Sequence, residues 1–398
     1  MGGVSGGRVR SSARRPAETA RAANIRDVAR RAGVSHQTVS RVINGPPSLR
    51  AATRDRVLAA MDELSFRPNR AARALVTSRS TTIGVLVSKG FEYGPAASLQ
   101  AIDSAAREAG YGVDVAHLDD VDTSSIRSAL DRLLAHGVDG IIILAPQTRT
   151  LGEIEHLSIT LPFVTVHSAR ADDDHRLSVD QSGGAALATR HLLRLGHRRI
   201  VHVAGPDGWF ETAARIRGYR GEMESWGLEP EPLLSGNWTA ASGYEAGHLI
   251  LRDPGITAVF SSNDQMALGL LHAFREQGLR VPEDLSVVGF DDVPESPHYW
   301  PPLTTVRQNF PELGRRCVAR LLALIGESGP AVDRDAGEAA GAARIPGSGT
   351  AGVADAAGPA ADVAPELVPR ESTAPPRRVH SRPDAASGAA PAETPPLR

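Results

Sequence analysis

The sequence predicts a small α-helical head followed by a larger α/β body built on parallel sheets. Residues 25–64 carry apolar side chains at helical spacing on both sides of a glycine turn, which is typical of a helix-turn-helix. From residue 81 onward, short apolar runs alternate with helix-like stretches, as in parallel sheets covered on both faces. Residues 1–80 hold 16 arginines, no lysine and five acidic residues, a net charge of +11 against −2 for the whole chain. A basic head on an acidic body indicates a polyanionic partner for the head alone.

The composition limits the class of protein. At 398 residues with 41% hydrophobic content, the chain can bury a large core in two or three domains. Its single cysteine, Cys317, excludes an internal disulfide, and no Cys/His cluster has metal-ligand spacing, so we expect no metal and no cofactor. Residues 1–23 lack the apolar core of a secretion signal, and no apolar run is long enough to cross a bilayer. We therefore expect a cytoplasmic protein without a membrane partner.

The first and third helices of the head are predicted to form a small core. In the first, apolar residues recur about one turn apart, at Ile25, Val28, Ala29 and Ala32. Asn24 can cap its start and Gly33 can supply the turn that follows. The third helix, at about 51–64, would close the core with Val57, Leu58, Met61 and Leu64.

The second helix has one apolar and one polar face. Ser35 can cap its start, and its apolar face consists of Val39, Val42 and Ile43. Gln37 and Arg41 lie one turn apart on the other face, where they can enter a major groove and pair with adenine and guanine. The alternative is an ordinary three-helix core whose polar faces are only solvated.

The head also resembles a known family. The residues that carry the resemblance are Asp27-Val28-Ala29, Ala32-Gly33-Val34-Ser35, Thr38-Val39-Ser40-Arg41-Val42 and Asn44-Gly45. They resemble the signature of the lactose-repressor/galactose-repressor family of bacterial transcription regulators. The resemblance implies a DNA-binding domain at 24–67 that contacts the bases through His36, Gln37, Thr38, Ser40, Arg41 and Asn44. His36 departs from the tyrosine found there within the family.

Residues 68–80 are predicted to be a hinge helix and linker. The segment is too short to be a stable helix alone, and the resemblance implies that it folds when two copies pack together in the minor groove. Asn69 belongs to the matching motif, Ala72 would allow close approach of the two helices, and Leu75 would open a central base step. The alternative is an ordinary helical linker. The first interpretation implies a homodimer on an operator that is an inverted repeat.

The body is predicted to contain strands at 82–87, 112–116, 140–145, 163–167, 199–204, 258–261 and 286–290. Ligand sites in such sheets lie at the carboxyl ends of the strands. The resemblance extends to about residue 325 and implies two lobes, as in periplasmic sugar-binding proteins, at 81–179 plus 308–326 and at 180–307. Residues 366–373 resemble the family's last strand, so we expect the body to comprise 81–326 and 365–373. We expect disorder in the basic arm 1–23, the Ala-, Gly- and Pro-rich insertion 327–364 and the tail 374–398.

The resemblance also implies the residues that hold a sugar or glycoside effector. Four match the family's ligand contacts at strand ends or loops, namely Arg215, Trp238, Asn263 and Asp291, and polar groups beside an aromatic plate suit a sugar. Five more match the mouth of the pocket, a strand end and a crossing between lobes, namely Tyr93, Pro95, His167, Gln308 and Phe310. His167 ends a strand where a sugar-binding aspartate occurs within the family. The alternatives are that Asn263 and Asp291 only cap local structure, Arg215 pairs with a surface acid, and Trp238 is core.

These observations predict a dimeric DNA-binding repressor of carbohydrate-utilisation genes, controlled by a sugar bound between two lobes. A sugar-binding transport protein is the alternative, but the basic head and the missing secretion signal disfavour it. An enzyme is also disfavoured. Acidic side chains at Asp291-Asp292 and at 172–175 lack a nucleophile-base motif, and adjacent strand residues diverge.

Overall fold

The computed structural model describes residues 2, 23–44, 49–67, 79–88, 92–118, 122–144, 146–155, 159–167, 176–327 and 362–377. The predicted hinge contacts Asn69, Ala72 and Leu75 lie outside the described residues, as do nearly all of the predicted arm and most of the predicted insertion and tail. The chain divides after residue 80 into two compact units, the head and the body.

The head contains three helices, α1 (Ile25–Ala32), α2 (His36–Asn44) and α3 (Ala51–Glu63). Asn24 caps α1 by accepting hydrogen bonds from the next turn, and the Asp27 carboxylate accepts the Asn24 amide at 3.0 Å. Gly33 ends α1 with a φ of +65°, a conformation that glycine adopts without strain. Ser35 Oγ accepts the Thr38 amide at 3.1 Å at the start of α2. The caps predicted at Asn24 and Ser35 are therefore confirmed.

The three helices pack around fully buried Val28, Val39 and Val57. One part of the predicted core is wrong, because the Leu58 side chain is 43% exposed and Ala60 is buried instead. Positions 57, 60, 61 and 64 follow one stripe of α3, whereas position 58 is turned about 100° away from it. The head core therefore relies on a small alanine at the place where we expected a leucine.

The first lobe of the body is a five-stranded parallel sheet in the order β2-β1-β3-β4-β5. Its strands are β1 (Thr82–Ser88), β2 (Gly112–Leu118), β3 (Gly140–Leu144), β4 (Phe163–Val166) and β5 (Arg176–Leu177). Its helices are α4 (Tyr93–Glu108), α5 (Thr123–Ala135) and α6 (Thr148–Glu155). A fourth helix, α11 (Phe310–Glu327), comes later in the chain and contacts α4. The central strands β1 and β3 are buried almost throughout, since helices cover both faces of the sheet.

The second lobe is a six-stranded sheet in the order β11-β10-β9-β8-β6-β7, in which only β11 runs antiparallel. Its strands are β6 (Ile200–Ala204), β7 (Leu234–Ser235), β8 (Ala258–Ser261), β9 (Ser286–Asp291), β10 (Thr304–Arg307) and β11 (Glu366–Val368). Its helices are α7 (Gln181–Leu195), α8 (Phe210–Ser225), α9 (Ala240–Ile250), α10 (Asp264–Glu276) and a short 3₁₀ turn at Ser296–His298. The predicted α/β class with parallel sheets is confirmed.

The chain crosses between the lobes between β5 and α7, between β10 and α11, and again at 362–366. The first and third crossings lie side by side, because the Val363 amide donates to Ser178 O at 2.8 Å and the Asp180 amide donates to Val363 O at 2.9 Å. Arg176 also forms an ion pair with Asp362 at 3.1 Å. Two lobes joined by adjacent strands can change their mutual angle without breaking either sheet.

The predicted ends of the insertion and tail differ from the structure. Residues 362–364 pack beside the first crossing, and residues 374–377 contact the second lobe, where Ser286 Oγ donates to Ala374 O at 3.0 Å. Composition alone marked these residues as disordered, but their backbone groups find partners on strands far away in sequence.

The short strands β5 and β7 and the Thr-rich strand β10 were also missed, because two to four residues give no periodic pattern. No described helix is long and apolar enough to span a membrane.

Candidate DNA-reading face and ligand cleft

The exposed face of α2 presents side chains that can reach DNA bases. His36, Gln37 and Arg41 are exposed, while Val39 on the opposite face is fully buried. Among the described residues, Arg41 has no ion-pair partner, in contrast to Arg31, which pairs with Glu63. The guanidinium of Arg41 is therefore available for an acceptor outside the protein.

The other predicted DNA contacts have more local roles. The Thr38 hydroxyl is 2.9 Å from Ser35 Oγ and so takes part in the cap of α2. Ser40 is half-buried, and Asn44 is the last residue of the helix. The structure thus brings Gln37 and Arg41 together on one accessible stripe, as the sequence predicted, with Thr38 at the helix start.

A cleft with about 670 Å³ of unfilled space, including its open mouth, lies between the two lobes. All nine residues predicted to hold the effector line it: Tyr93, Pro95, His167, Arg215, Trp238, Asn263, Asp291, Gln308 and Phe310. Most of them follow the carboxyl ends of strands or lie in the first turns of helices, where parallel sheets place ligand sites. Its lining of aromatic side chains beside a few polar groups is typical of sites for small organic ligands.

Four side chains form a closed ring in the wall of the cleft. Arg215 Nε donates to Gln181 Oε1 at 2.9 Å, and Gln181 Nε2 donates to Gln308 Oε1 at 2.6 Å. Gln308 Nε2 donates to Asp291 Oδ1 at 2.6 Å, and Arg215 Nη2 lies 3.6 Å from the same oxygen. Because these residues come from α7, α8, β9 and the second crossing, the ring fixes the geometry of the wall where the lobes meet.

The ion pair within this ring is buried. Arg215 is 4% exposed and packs 3.9 Å from the ring centre of Phe290, and it also donates to the carbonyl of Ser262. Burial lowers the pKa of Arg215, which stays charged, and raises the pKa of Asp291 to about 6 although Arg215 and Gln308 oppose that rise. A buried charge of this kind is costly when its partner is removed.

Asp291 and its neighbour Asp292 point to different partners. Both have a positive φ, of 106° and 52°, which is strained for residues with a side chain. Asp291 faces the ring, whereas Asp292 accepts Arg307 Nε at 2.7 Å and Arg370 Nη2 at 2.6 Å outside it. The two carboxylates therefore do not act as a pair.

The described residues contain no group of three His, Cys, Asp or Glu side chains that could hold a metal ion.

Asn263 and Trp238 form a second fixed unit of the wall. Asn263 Oδ1 accepts the Met266 amide at 2.9 Å and so caps α10, while Asn263 Nδ2 donates to Trp238 O at 2.9 Å. Trp238 has a φ of 70°, and its indole lies directly on Gly205, where any side chain would collide with it. The capping role that sequence left open for Asn263 is present, and it also positions the aromatic plate.

The first lobe supplies a more apolar wall. The rings of Tyr93 and Phe310 meet edge to face with centroids 6.0 Å apart, next to Pro95 at the mouth. His167 is 1% exposed, and its ring lies 5.1 Å from that of Phe210 on the opposite lobe. Aromatic and polar walls thus face each other across the cleft.

Sequence reasoning missed several polar residues of the cleft, among them Gln181 and Glu211 next to Arg215. Gln181 completes the ring, and Glu211 lies one helical turn before Arg215 in α8. Burial raises the pKa of Glu211 to about 7. Gln181 is the first residue of a helix that follows a crossing between the lobes. This position was the one feature of the sequence that could have indicated its place in the cleft.

Asp264, behind the cleft wall, is a fully buried carboxylate. It accepts hydrogen bonds from Ser296 Oγ and Thr305 Oγ1, each at 2.6 Å, and from the Val293 amide at 2.9 Å. Burial, with a further contribution from the charge of Asp291, raises its pKa from 3.8 to about 7. Between these two values the folded state holds a proton that the unfolded state has released, so the stability due to Asp264 falls as pH rises through this window and stays low above it.

We expect Asp264→Asn to flatten the pH dependence of stability. The free energy of unfolding of the wild type should fall between pH 4.5 and pH 7.5 by on the order of 3 kcal/mol more than that of the variant. Urea unfolding at the two pH values measures this difference. Equal pH dependence in both proteins would show that Asp264 is ionised throughout. Glu283→Gln, on an exposed residue, is the matched control.

Comparison with known proteins places the chain among relatives with the same two parts. The family described as bacterial regulatory proteins, lacI family, matches residues 24–69, and the periplasmic binding protein-like domain matches residues 189–338. The lactose operon repressor of Escherichia coli (strain K12) is 37% identical over 300 residues, which span 75% of this chain and 83% of that protein. The chain belongs to the lacI family of bacterial regulatory proteins.

Solved structures of lacI-family proteins share the fold. The lac repressor dimer bound to operator and the anti-inducer ONPF has a TM-score of 0.71 and 32% identity, over 88% of this chain and 99% of that one. The complex of the transcriptional regulator CelR with cellobiose has a TM-score of 0.58 and 29% identity, over 88% and 99%. In this lacI-family regulator the head is the DNA-binding domain and the body is the ligand-binding domain. The alternative of a transport protein without DNA function finds no support in these relatives.

Proposed function

We propose that this regulator is a dimeric repressor of carbohydrate-utilisation genes whose affinity for an inverted-repeat operator is set by a sugar or glycoside in the cleft. The observation that carries this proposal is the convergence of the nine predicted residues on one cleft, in a chain whose head presents an exposed Gln37 and Arg41. The operator-bound lac repressor dimer and the cellobiose complex of CelR support it by analogy.

The chemistry of the cleft suits a saccharide. A sugar ring has hydroxyls that both donate and accept hydrogen bonds, and it has weakly apolar faces. Asp291 and Asn263 supply polar groups on one wall, while Tyr93, Phe310 and Trp238 supply aromatic surface. A few placed polar groups beside aromatic and apolar side chains are typical of small-molecule sites.

The proposed mechanism couples the angle between the lobes to DNA binding. A sugar held by both walls favours one of two lobe arrangements, because it makes its full set of contacts at only one angle. The head precedes the first lobe in the chain, so a change in the separation of the two first lobes of a dimer alters whether the hinge segments pair. The hinge contacts Asn69, Ala72 and Leu75 remain a prediction. Coupling must be reciprocal, so operator changes sugar affinity by the same factor as sugar changes operator affinity.

The dimer needs an apolar surface, and the second lobe has one. Leu268 on α10 is 43% exposed and Trp300 is 80% exposed. Trp300 lines a groove with Leu271 and Arg275, which lie on the same stripe of α10 as Leu268. Leu271 is 5% exposed and belongs to the buried core, so we name the two exposed side chains, Leu268 and Trp300, the α10 surface. Exposed large apolar side chains grouped in this way mark protein interfaces.

The test of the proposed function is operator binding titrated with saccharides. Fluorescence anisotropy with a labelled inverted-repeat duplex measures affinity in the presence of each member of a panel of mono- and disaccharides. We expect at least one member to change operator affinity by about 5-fold to 150-fold. An affinity that no saccharide changes would contradict the sugar effector while leaving the DNA-binding function intact.

We expect Arg41→Ala to relax sequence preference at one base pair. Loss of a bidentate contact with guanine should weaken operator binding by about 1–3 kcal/mol and leave binding to random DNA much less affected. Anisotropy with a series of single-substitution operators measures this. Arg26→Ala, on an exposed residue of α1, is the control. Equal weakening on operator and random DNA would instead make Arg41 a phosphate contact.

A further inference from the structure

The ring in the cleft wall leaves few polar atoms for a ligand. Arg215 directs its three nitrogens at Gln181, Ser262 and Asp291, and the two glutamines use their amides within the ring. The positive charge of Arg215 is balanced by Asp291 inside the protein. Ligand selection must therefore depend strongly on other groups of the same wall.

Two such atoms are buried in the cleft and lack a hydrogen-bond partner among the described residues. They are Glu211 Oε2, an acceptor, and Trp238 Nε1, a donor on a residue that is 8% exposed. Both belong to neighbours of Arg215: Glu211 precedes it by one turn of α8, and the Trp238 ring centre lies 5.5 Å from its guanidinium. A buried polar group without a hydrogen-bond partner is unfavourable unless a ligand or water supplies that partner. A hydroxyl can donate to a carboxylate oxygen and can accept from an indole N–H, so hydroxyl groups suit both atoms.

The charges that line the cleft disfavour an anion. Glu92, Glu211 and Asp291 are acidic, and of the described lining residues Arg215 is the one with a permanent positive charge. A phosphate or carboxylate placed beside Glu211 would meet a carboxyl group that is either ionised or must take up a proton, in a partly desolvated site where repulsion between like charges is strong. An uncharged polyol meets no such penalty.

From these observations we infer that the cleft selects an uncharged saccharide, one of whose hydroxyls donates to Glu211, and that it rejects phosphorylated and acidic sugars. This inference rests on the proposed function, because it names the class of effector for the same site. Glu211 is then a specificity residue that sequence matching did not identify. The ring formed by Gln181, Arg215, Asp291 and Gln308 positions the wall in which it lies.

Binding of a sugar hydroxyl to Glu211 should be accompanied by the release of protons. Burial raises the pKa of Glu211 to about 7, with Asp291 raising it and Arg215 lowering it, while His167 and Glu92 line the same cleft from the first lobe. A hydroxyl that donates to the carboxylate favours its ionised form and lowers this pKa. At pH 7 the bound sugar therefore drives release of a fraction of a proton from Glu211.

The test is isothermal titration calorimetry of the full chain at pH 7 in buffers of different ionisation enthalpy. The ligands are glucose, galactose, cellobiose and lactose, each paired with its phosphate ester. We expect one neutral sugar to bind at least tenfold more tightly than its ester and to release protons. Glu211→Gln should bind that sugar roughly tenfold more weakly and lose the proton release, because a charge-assisted hydrogen bond is removed. Glu224→Gln, on an exposed residue of the same helix, should behave as wild type.

The outcomes separate the inference from the proposed function. An ester that binds more tightly than its parent sugar, or a wild type that releases no proton, overturns the inference and leaves a sugar effector in place. A Glu211→Gln protein with wild-type affinity and proton release also overturns it. Thermal melting of this variant checks that it is folded. If neither the sugars nor the esters bind while operator binding is intact, both the inference and the proposed sugar effector fail.

Discussion

Arg215→Ala should abolish the response of operator binding to sugar and lower the free energy of unfolding at pH 7 by about 3–5 kcal/mol. Arg215 holds the ring through Gln181, contacts Ser262 O and faces the buried carboxylate of Asp291. Its removal leaves that carboxylate without its opposite charge and leaves the cleft wall without its fixed geometry. Operator affinity without sugar should stay close to wild type while the variant is folded, since the reading face lies in a separate unit.

The loss of stability should depend on pH. Removing the guanidinium removes an influence that lowers the pKa of Asp291, so this pKa rises above about 6 in the variant. The folded variant then holds a proton that the unfolded chain releases, and its stability rises as pH falls from 7 to 5. Urea unfolding at both pH values measures the effect.

A paired variant separates stability from ligand binding. Arg215→Met combined with Asp291→Asn removes both charges and should recover most of the lost stability without recovering the sugar response. Anisotropy with the labelled operator and the active sugar measures the response. A paired variant that still responds like wild type would show that the cleft is not the regulatory site.

Leu268→Glu should weaken operator binding by about 100-fold or more. The α10 surface is the apolar face that we propose joins two copies, and a carboxylate at position 268 would have to be desolvated in the interface. A monomer carries one reading head and loses the gain from binding two half-sites at once. Sedimentation velocity measures the oligomeric state, and anisotropy measures affinity for the full operator and for one half-site.

Comparing the full operator with one half-site shows whether the loss of affinity comes from loss of the dimer. Affinity for a half-site should be nearly unchanged, because each head remains intact. Leu249→Glu, on a 45% exposed leucine of α9 outside the α10 surface, should remain dimeric with normal operator affinity. A Leu268→Glu protein that sediments as a dimer would move the interface to another surface.

The features that the sequence predicted well have local causes. The caps at Asn24 and Ser35 depend on the next three residues of the chain, and the strands at 258–261 and 286–290 are apolar runs between turn signals. The nine cleft residues were identified through motif resemblance at strand ends, and the sheet topology then brings strand ends together. Their role in binding a sugar is still a prediction.

The features that the sequence did not predict depend on tertiary packing. Gln181 becomes part of the ring only because Arg215 and Gln308, 34 and 127 residues further along the chain, reach the same place. Glu211 follows an aromatic pair in a segment without a periodic signal, so its burial could not be inferred. Leu58 is apolar and was therefore expected in the core of the head. It lies outside the stripe of α3 that the other helices cover.

The position of β11 at the edge of the second sheet sets an order of events during protein synthesis. The Ser372 hydroxyl donates to Val287 O at 2.6 Å and accepts the Thr304 amide at 2.8 Å, so strands translated early are joined to residues translated late. Residues 328–361 are translated in between, which takes on the order of seconds at about 5–20 residues per second. The head and all five strands of the first sheet are translated before this interval starts, whereas the edge of β10 that later pairs with β11 stays open during it. A ribosome that stops within this interval releases a complete reading head on an incomplete ligand-binding lobe.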